Sequence, residues 1–230
     1  MDRSVPITMA ESAPGVTGGH AITPAILLVM TCVTGIVDAV SYLALGHVFT
    51  ANMTGNVVLL GFAVAGVKGL SATRSLTALF CFFAGAVFGG RVSAPQAPGP
   101  LLVETALLFF AGIAAPLPDQ NLSFYCVIAL TAAAMGYRNA VVRKIGLPDL
   151  TTTVLTLTIT GLGADSSLAG GENPRWRRRV AAILALVIGA FVGAQAVNRS
   201  TALALMVAAL ITGCCAVAAF RFHRKEIQQQ

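Results

Sequence analysis

Charged residues are scarce in this 230-residue sequence, since Asp, Glu, Lys and Arg together make up 10% of it. Soluble domains carry about 25%. Apolar residues account for 56%, so the chain has too few polar groups to cover a surface that faces water. This balance excludes a soluble globular enzyme, a disordered chain and a disulfide-stapled secreted module. The apolar runs are continuous rather than alternating, which excludes an outer-membrane barrel. The sequence therefore predicts an all-α, polytopic membrane bundle.

The sequence also lacks the motifs of the common catalytic and metal sites. It contains no HExxH, no Walker A motif, no Ser-His-Asp set and no zinc-ligand spacing. The five cysteines lie inside apolar stretches and form no CxxC pair, which is typical of buried packing residues. We therefore expect no enzymatic activity, no cofactor and no metal. The net charge of +6 comes from basic residues between apolar segments, so it indicates membrane topology rather than a nucleic-acid partner.

Eight apolar segments are present. They cover approximately residues 24–45, 52–67, 76–92, 101–117, 122–142, 150–164, 180–197 and 201–220. Six of them have about 17–22 residues, which suits a crossing of a hydrocarbon core about 30 Å thick. The second and the sixth have about 15 residues, or about 23 Å of helix, and each follows a polar, helix-breaking stretch. These two predict half-helices that enter the membrane without crossing it.

The domain organisation follows from this pattern. Residues 1–21 lack the early apolar core of a signal peptide and predict a disordered cytoplasmic tail. Residues 22–220 form one transmembrane domain, and residues 221–230 form a cytoplasmic C-terminal tail. The transmembrane domain divides into two repeats, of about 22–118 and 119–220.

Three similarities between the two halves support the repeat. Gly35–Val40 resembles Gly136–Val141, and Gly85–Arg91 resembles Gly189–Gln195. Between these pairs, residues 50–54 align with residues 152–156, so that a short half-helix lies at the same place in each half. Interrupted short segments at corresponding positions of two repeats point to the binding site of a secondary transporter.

The basic residues favour re-entrant half-helices over eight full spans. With two re-entrant segments, only Lys68, Arg74 and Arg199 lie on the outer side, and both termini are cytoplasmic. Eight spans would place five basic residues there: Arg91, Arg138, Arg143, Lys144 and Arg199. The charge distribution thus favours six spans; eight spans are the alternative.

Asp38 is the most informative single residue, because an ionised side chain within a membrane span costs several kcal/mol. It shares one helical face with Thr31, Thr34 and Ser41. A proton, cation or substrate contact is one interpretation. The other is a structural ion pair with Arg138, which stands beside Asn139, the repeat equivalent of Asp38. We assign Asp38, Arg138 and Asn139 to gating or coupling. Glu104 lies near a span end, which predicts a position at the membrane interface.

The densest polar motif, residues 46–56, leads into the first half-helix. Asn and Thr side chains like those of this motif cap the N-terminus of a helix. Free backbone N–H groups and the positive end of the helix dipole lie there, and they favour binding of a polar or anionic group. Simple capping is the alternative interpretation. We predict that the motif and its repeat counterpart contact a solute through Asn52, Thr54, Asn56, Thr152, Thr153 and Thr156. Four glycines are assigned to close helix packing: Gly85, Gly89, Gly189 and Gly193. Their main predicted role is contact between the repeats, and self-association is the lesser one.

Residues 35–43 and the Ala-Asn-Met-Thr-Gly-Asn run of residues 51–56 resemble the YoaK family of bacterial inner-membrane proteins. The resemblance covers about residues 22–220 and implies a bacterial plasma-membrane protein with six spans, but no substrate or reaction. One departure is Leu157, which stands where the resemblance implies the glycine of a second Thr-Gly pair. Our leading hypothesis is a secondary transporter or facilitator of a small polar or anionic solute, with membrane lipids as the other partner. The alternative is a non-transporting scaffold or a lipid-contacting regulator.

Overall fold

The computed structural model describes residues 22–146 and 155–227, and within these ranges every regular element is helical. The elements are α1 (Pro24–Ala44), α2 (Met53–Val64), α3 (Ala72–Gly90), α4 (Gly99–Ala114), α5 (Gln120–Ile145), α6 (Leu155–Ala164), α7 (Trp176–Val197) and α8 (Thr201–Ile227), with a 3-10 turn at Ser167–Ala169. The predictions for residues 1–21, and for Thr152 and Thr153, lie outside the described residues.

Five of the described helices are long and apolar enough to cross a membrane: α1, α3, α5, α7 and α8. Helix α4 is apolar but has 16 residues, one fewer than the predicted segment. Helix α2 has 12 residues, or about 18 Å of helix, and 10 residues of α6 are described. Helix α8 extends to Ile227, beyond the predicted end of the membrane domain at residue 220.

The helices pair between the two halves of the chain. Helix α1 packs on α7, α3 packs on α5, and α4 packs on α8, while α4 also contacts α5 and α1 also contacts α8. The short helices lie at the sides, with α2 against α3 and α6 against α7. Large apolar side chains such as Phe80, Phe191 and Leu210 are more than half exposed on the outer surface, as expected for helices that face lipid.

Pairs of contacts along the helices give their relative directions. Helices α1 and α5 are antiparallel, because Met30 shares a buried cluster with Val142, and Val40 shares one with Ile128. Helices α3 and α5 are parallel. Thr73 and Tyr125 share a hydrogen bond of 2.9 Å near the beginnings of these helices, and the Lys144 amine donates to the Val92 carbonyl (2.9 Å) near their ends. Helices α1 and α3 therefore run in opposite directions, although α2 lies between them.

Glycines allow the two closest helix pairs to approach. At the α3–α5 contact, a Cβ on Gly85 would collide with the carbonyl oxygen of Ala133, and one on Gly89 with that of Tyr137. At the α1–α7 contact, a Cβ on Gly189 would collide with the Cys32 carbonyl, and one on Gly193 would lie 2.8 Å from the Ile36 Cα. The four glycines assigned to packing lie at these two contacts. Gly35 and Gly136 also lie there, on the partner helices.

Candidate functional site

Asp38 holds the loop between α1 and α2 against α1. Its Oδ1 atom accepts hydrogen bonds from the backbone N–H groups of Ala51 (2.8 Å) and Thr50 (3.2 Å). The chain turns back after α1 through Gly46 (φ 84°) and His47 (φ 57°). Because Asp38 lies about a turn and a half before the end of α1, the loop folds back along that helix before α2 begins.

Asn56, on α2, holds the same loop at Phe49. The side chain is fully buried; its Oδ1 accepts from the Phe49 N–H (2.8 Å) and its Nδ2 donates to the Phe49 carbonyl. Both halves of the amide therefore bind one residue of the loop. This geometry gives Asn56 a positioning role, whereas the sequence suggested a solute contact.

Asn52 and Thr54 are exposed at the beginning of α2 and line an open cavity of about 780 Å³. Asn52 caps the helix, since its Oδ1 accepts from the Gly55 N–H at 3.3 Å. The stacked rings of Tyr42 and Phe49, with centroids 5.0 Å apart, belong to the same wall. Thr156, at the described beginning of α6, lines this cavity as well. Three of the six predicted solute contacts are thus brought together from two halves of the chain.

Arg138 lies in the core, and its charged partner differs from the one predicted. The guanidinium is 3% exposed and its Nη1 donates to Glu104 Oε1 at 3.0 Å, while Glu104 is 1% exposed. The predicted Asp38–Arg138 pair is therefore wrong, because Asp38 uses its carboxylate on the loop. Glu104 lies inside the bundle rather than on its surface, because α4 packs between α5 and α8 and buries that side chain; its position at the membrane interface stays a prediction.

Other groups of α1 complete the surroundings of Arg138. Its Nη1 donates to the Met30 carbonyl (3.0 Å) and its Nη2 donates to the Thr34 hydroxyl (2.5 Å). The hydroxyls of Thr31, Thr34 and Ser41 each donate to a carbonyl one turn earlier in α1. The polar stripe on α1 is thus largely satisfied within the bundle. A void of about 10 Å³, the size of one water molecule, lies beside the Arg138–Glu104 pair.

The sequence contained a signal for the Arg138–Glu104 pair that the comparison of the two repeats did not reveal. An acid and an arginine that both fall within apolar segments are each costly to bury alone, which favours pairing of the two. Asn139, the third residue assigned to gating, is half-buried on α5. Within the described ranges, no three His, Cys, Asp or Glu side chains form a potential metal site, and all five cysteines are free thiols.

Two comparisons with known proteins extend these observations. The family described as "Protein of unknown function (DUF1275)" matches the chain over residues 26–218. The UPF0700 transmembrane protein YoaK of Bacillus subtilis (strain 168) is 36% identical over 149 residues, which cover 61% of this chain and 66% of that protein. The match thus spans just under two thirds of the relative's length. No solved structure matches the chain.

Proposed function

The chain belongs to the DUF1275 family of membrane proteins of unknown function, and from this membership and its site we propose that it carries a small polar or anionic solute across the bacterial plasma membrane. In this proposal it is a secondary transporter or facilitator without catalytic activity. Six helices span the membrane, α2 and α6 are re-entrant, and both termini are cytoplasmic.

The helix directions support this topology. Helices α1 and α3 are antiparallel, as expected if α2 begins and ends on the same side of the membrane. Helices α7 and α8 are joined by a turn of three residues, 198–200, and α8 is antiparallel to α1, since Ile26 clusters with Ala219 and Val40 with Leu205. Helix α7 is therefore parallel to α1 and antiparallel to α5, which supports a re-entrant α6 in the same way.

The packing also supports two inverted repeats. If α1–α4 correspond to α5–α8, then the α1–α7 contact corresponds to the α5–α3 contact, and the two glycine-mediated contacts become equivalent. The α4–α8 contact then lies on the pseudo-twofold axis. Such inverted repeats, with discontinuous helices near the bilayer midplane, are typical of alternating-access carriers.

One observation carries the proposal: Thr156 of α6 lines the same cavity as Asn52 and Thr54 of α2. The beginning of α2 and the first described turn of α6 thus face one space, where exposed amide and hydroxyl groups lie. The positive dipole end of α2 favours an anionic or hydrogen-bonding solute there. Asp38 and Asn56 would set the position of the first half-helix, while Arg138, held by Glu104, and Asn139 would couple α5 to its movement.

A specific observation favours the second candidate, a non-transporting scaffold or lipid-contacting regulator. Asp38, Asn56 and Thr34 all bind groups of the chain itself, as expected if polar side chains only hold the helices together. This candidate leaves the exposed Asn52 and Thr54 without a role beyond capping α2.

Flux through proteoliposomes distinguishes the two candidates. We would measure light scattering after osmotic steps of urea, glycerol, formate and nitrate. A carrier should give protein-dependent flux of at least one of these solutes. Thr54→Val together with Thr156→Val should lower that flux about thirtyfold, the effect expected for two lost hydrogen bonds of about 1 kcal/mol each. Thr77→Val, on the exposed side of α3, is the matched control.

Labelling of position 54 by a thiol reagent complements the flux measurement. In a variant without native cysteines, Thr54→Cys should react with an impermeant thiol reagent in both right-side-out and inside-out vesicles if access alternates. Reaction from one side only, together with no flux of any of the four probes, would favour the scaffold.

A further inference from the structure

A second, larger concavity lies between α4 and α8 and shares no lining residue with the cavity at α2. It is an open groove of about 1510 Å³. Small residues, among them Ala106, Ala209 and Gly213, line it together with large apolar side chains such as Phe109 and Phe222. Helices α4 and α8 are in contact where Gly213 meets Thr105 and where the Met206 side chain lies against Gly112. The groove runs along this contact, since Thr105, Met206 and Gly213 also line it.

The length of the groove suits a lipid chain. Its lining on α8 extends from Met206 to Arg224, which corresponds to about 27 Å of helix. One leaflet of the hydrocarbon core is about 15 Å thick. An acyl chain of one leaflet can therefore occupy about 15 Å of the groove, with its headgroup at the end of the membrane where Arg221 stands.

The charge at that end specifies the headgroup. Arg221 and Arg224 are three residues apart on one face of α8, and both line the groove. No acidic residue lines it, and in the described part of the chain neither arginine forms an ion pair. The guanidinium group matches the geometry of phosphate oxygens, and two such groups attract an anionic headgroup far more strongly than a zwitterionic one.

We infer that this groove binds an anionic glycerophospholipid, with an acyl chain between α4 and α8 and the phosphate between Arg221 and Arg224. The inference goes beyond solute transport and does not depend on it. In the six-span topology the headgroup lies in the cytoplasmic leaflet. There the lipid would cover the α4–α8 contact, which lies on the proposed pseudo-twofold axis.

Lipid retention by the purified protein tests the inference. The protein would be equilibrated in mixed micelles with equal amounts of phosphatidylglycerol and phosphatidylcholine of the same chain length, and retained lipids would be counted by native mass spectrometry. Wild type should retain phosphatidylglycerol preferentially. Arg221→Gln with Arg224→Gln should reduce that preference about tenfold or more. Arg91→Gln with Arg143→Gln, the same change in net charge at exposed residues away from the groove, should leave it intact.

A second variant tests the apolar part of the groove. A Cβ on Gly213 would lie 3.4 Å from the Thr105 side chain, an ordinary contact, so Gly213→Leu should fill the groove and release the lipid with both arginines present. The inference is overturned if wild type shows no preference, or if the preference survives loss of both arginines. It is also overturned if the Arg91 and Arg143 control loses the preference equally. If Gly213→Leu instead converts a dimer to a monomer and lipid retention is unchanged, the groove is an interface between two copies.

Discussion

At the scale of single residues, the polar side chains inside the bundle divide into two kinds. Asp38 and Asn56 bind backbone groups of the loop before α2, and Arg138 binds Glu104 together with groups of α1. These side chains bind groups of the chain itself, which keeps the cost of their burial low. Asn52, Thr54 and Thr156 differ, because they line an open cavity. Asn52 also caps α2, and the proposal assigns the exposed polar groups of all three to a solute.

The stability of the bundle should depend on Arg138 and Glu104 as a pair rather than on each charge separately. Arg138→Met leaves Glu104 buried without its counter-charge, and we expect a loss of about 3–5 kcal/mol of unfolding free energy. Glu104→Leu should cost a similar amount. The double variant should lose less than either single one, because no unpaired charge remains. Thermal denaturation in detergent measures all three.

The exposed Arg143 on the same helix supplies the control for this prediction. Arg143→Met should leave the melting temperature nearly unchanged, since exposed charges contribute little. If the costs of the two core substitutions simply add in the double variant, the two side chains act independently and the pairing argument is wrong.

At the scale of helices, the fold depends mainly on the close approach of neighbouring helix backbones. Glycines remove the Cβ atoms at the α1–α7 and α3–α5 contacts, so that dispersion contacts between backbones can hold the bundle together. Two other helical glycines do not contribute to close packing. At Gly61 and Gly90, a Cβ would have no neighbouring heavy atom within 4 Å, and the role of these two glycines is therefore not close packing.

Gly85 and Gly90, on the same helix, should respond oppositely to alanine. Gly85→Ala places a methyl group against the Ala133 carbonyl, and we expect a cost of about 1–3 kcal/mol from overpacking. Gly90→Ala enters open space and should be neutral, or stabilising by up to about 1 kcal/mol through better helix propensity. Melting temperatures of the two purified variants compare them directly. Equal melting temperatures would mean that α3 and α5 separate easily at this contact.

At the scale of the whole molecule, the directions of the helices favour the proposed six spans over eight. In that proposal, the antiparallel α1 and α3, and α5 and α7, make α2 and α6 excursions from opposite sides of the membrane. Asn52 and Thr54 of α2 and Thr156 of α6 line one cavity between the two halves of the chain. Movement of one half against the other would therefore change access to Asn52, Thr54 and Thr156.

Labelling from each side of the membrane tests this topology. Val67 and Leu168 are exposed just after α2 and α6, and each would be replaced by cysteine in a variant without native cysteines. Six spans predict that an impermeant thiol reagent labels Val67→Cys only from outside and Leu168→Cys only from the cytoplasm. Eight spans predict that both positions are labelled from the cytoplasm, which would remove the inverted repeats and the main support for a carrier.

The sequence by itself determined the class of the protein. Low charge and continuous apolar runs are properties of composition, so they predicted a helical membrane protein, and the Ala-Asn-Met-Thr-Gly-Asn run predicted the family that the comparisons confirmed. The glycine spacing, the short α2 and the polar beginning of that helix were also visible, because each depends on residues close together in the chain.

Only the tertiary structure decided which distant groups meet. Arg138 could have paired with Asp38 or with Glu104, and the choice depends on α4 packing against α5 and on the loop that takes the Asp38 carboxylate. The assignment of Asn56 to the loop and of Asn52, Thr54 and Thr156 to one cavity has the same origin. A buried charge or amide takes the partner that the packing brings within hydrogen-bond distance, and sequence spacing carries no information about that distance.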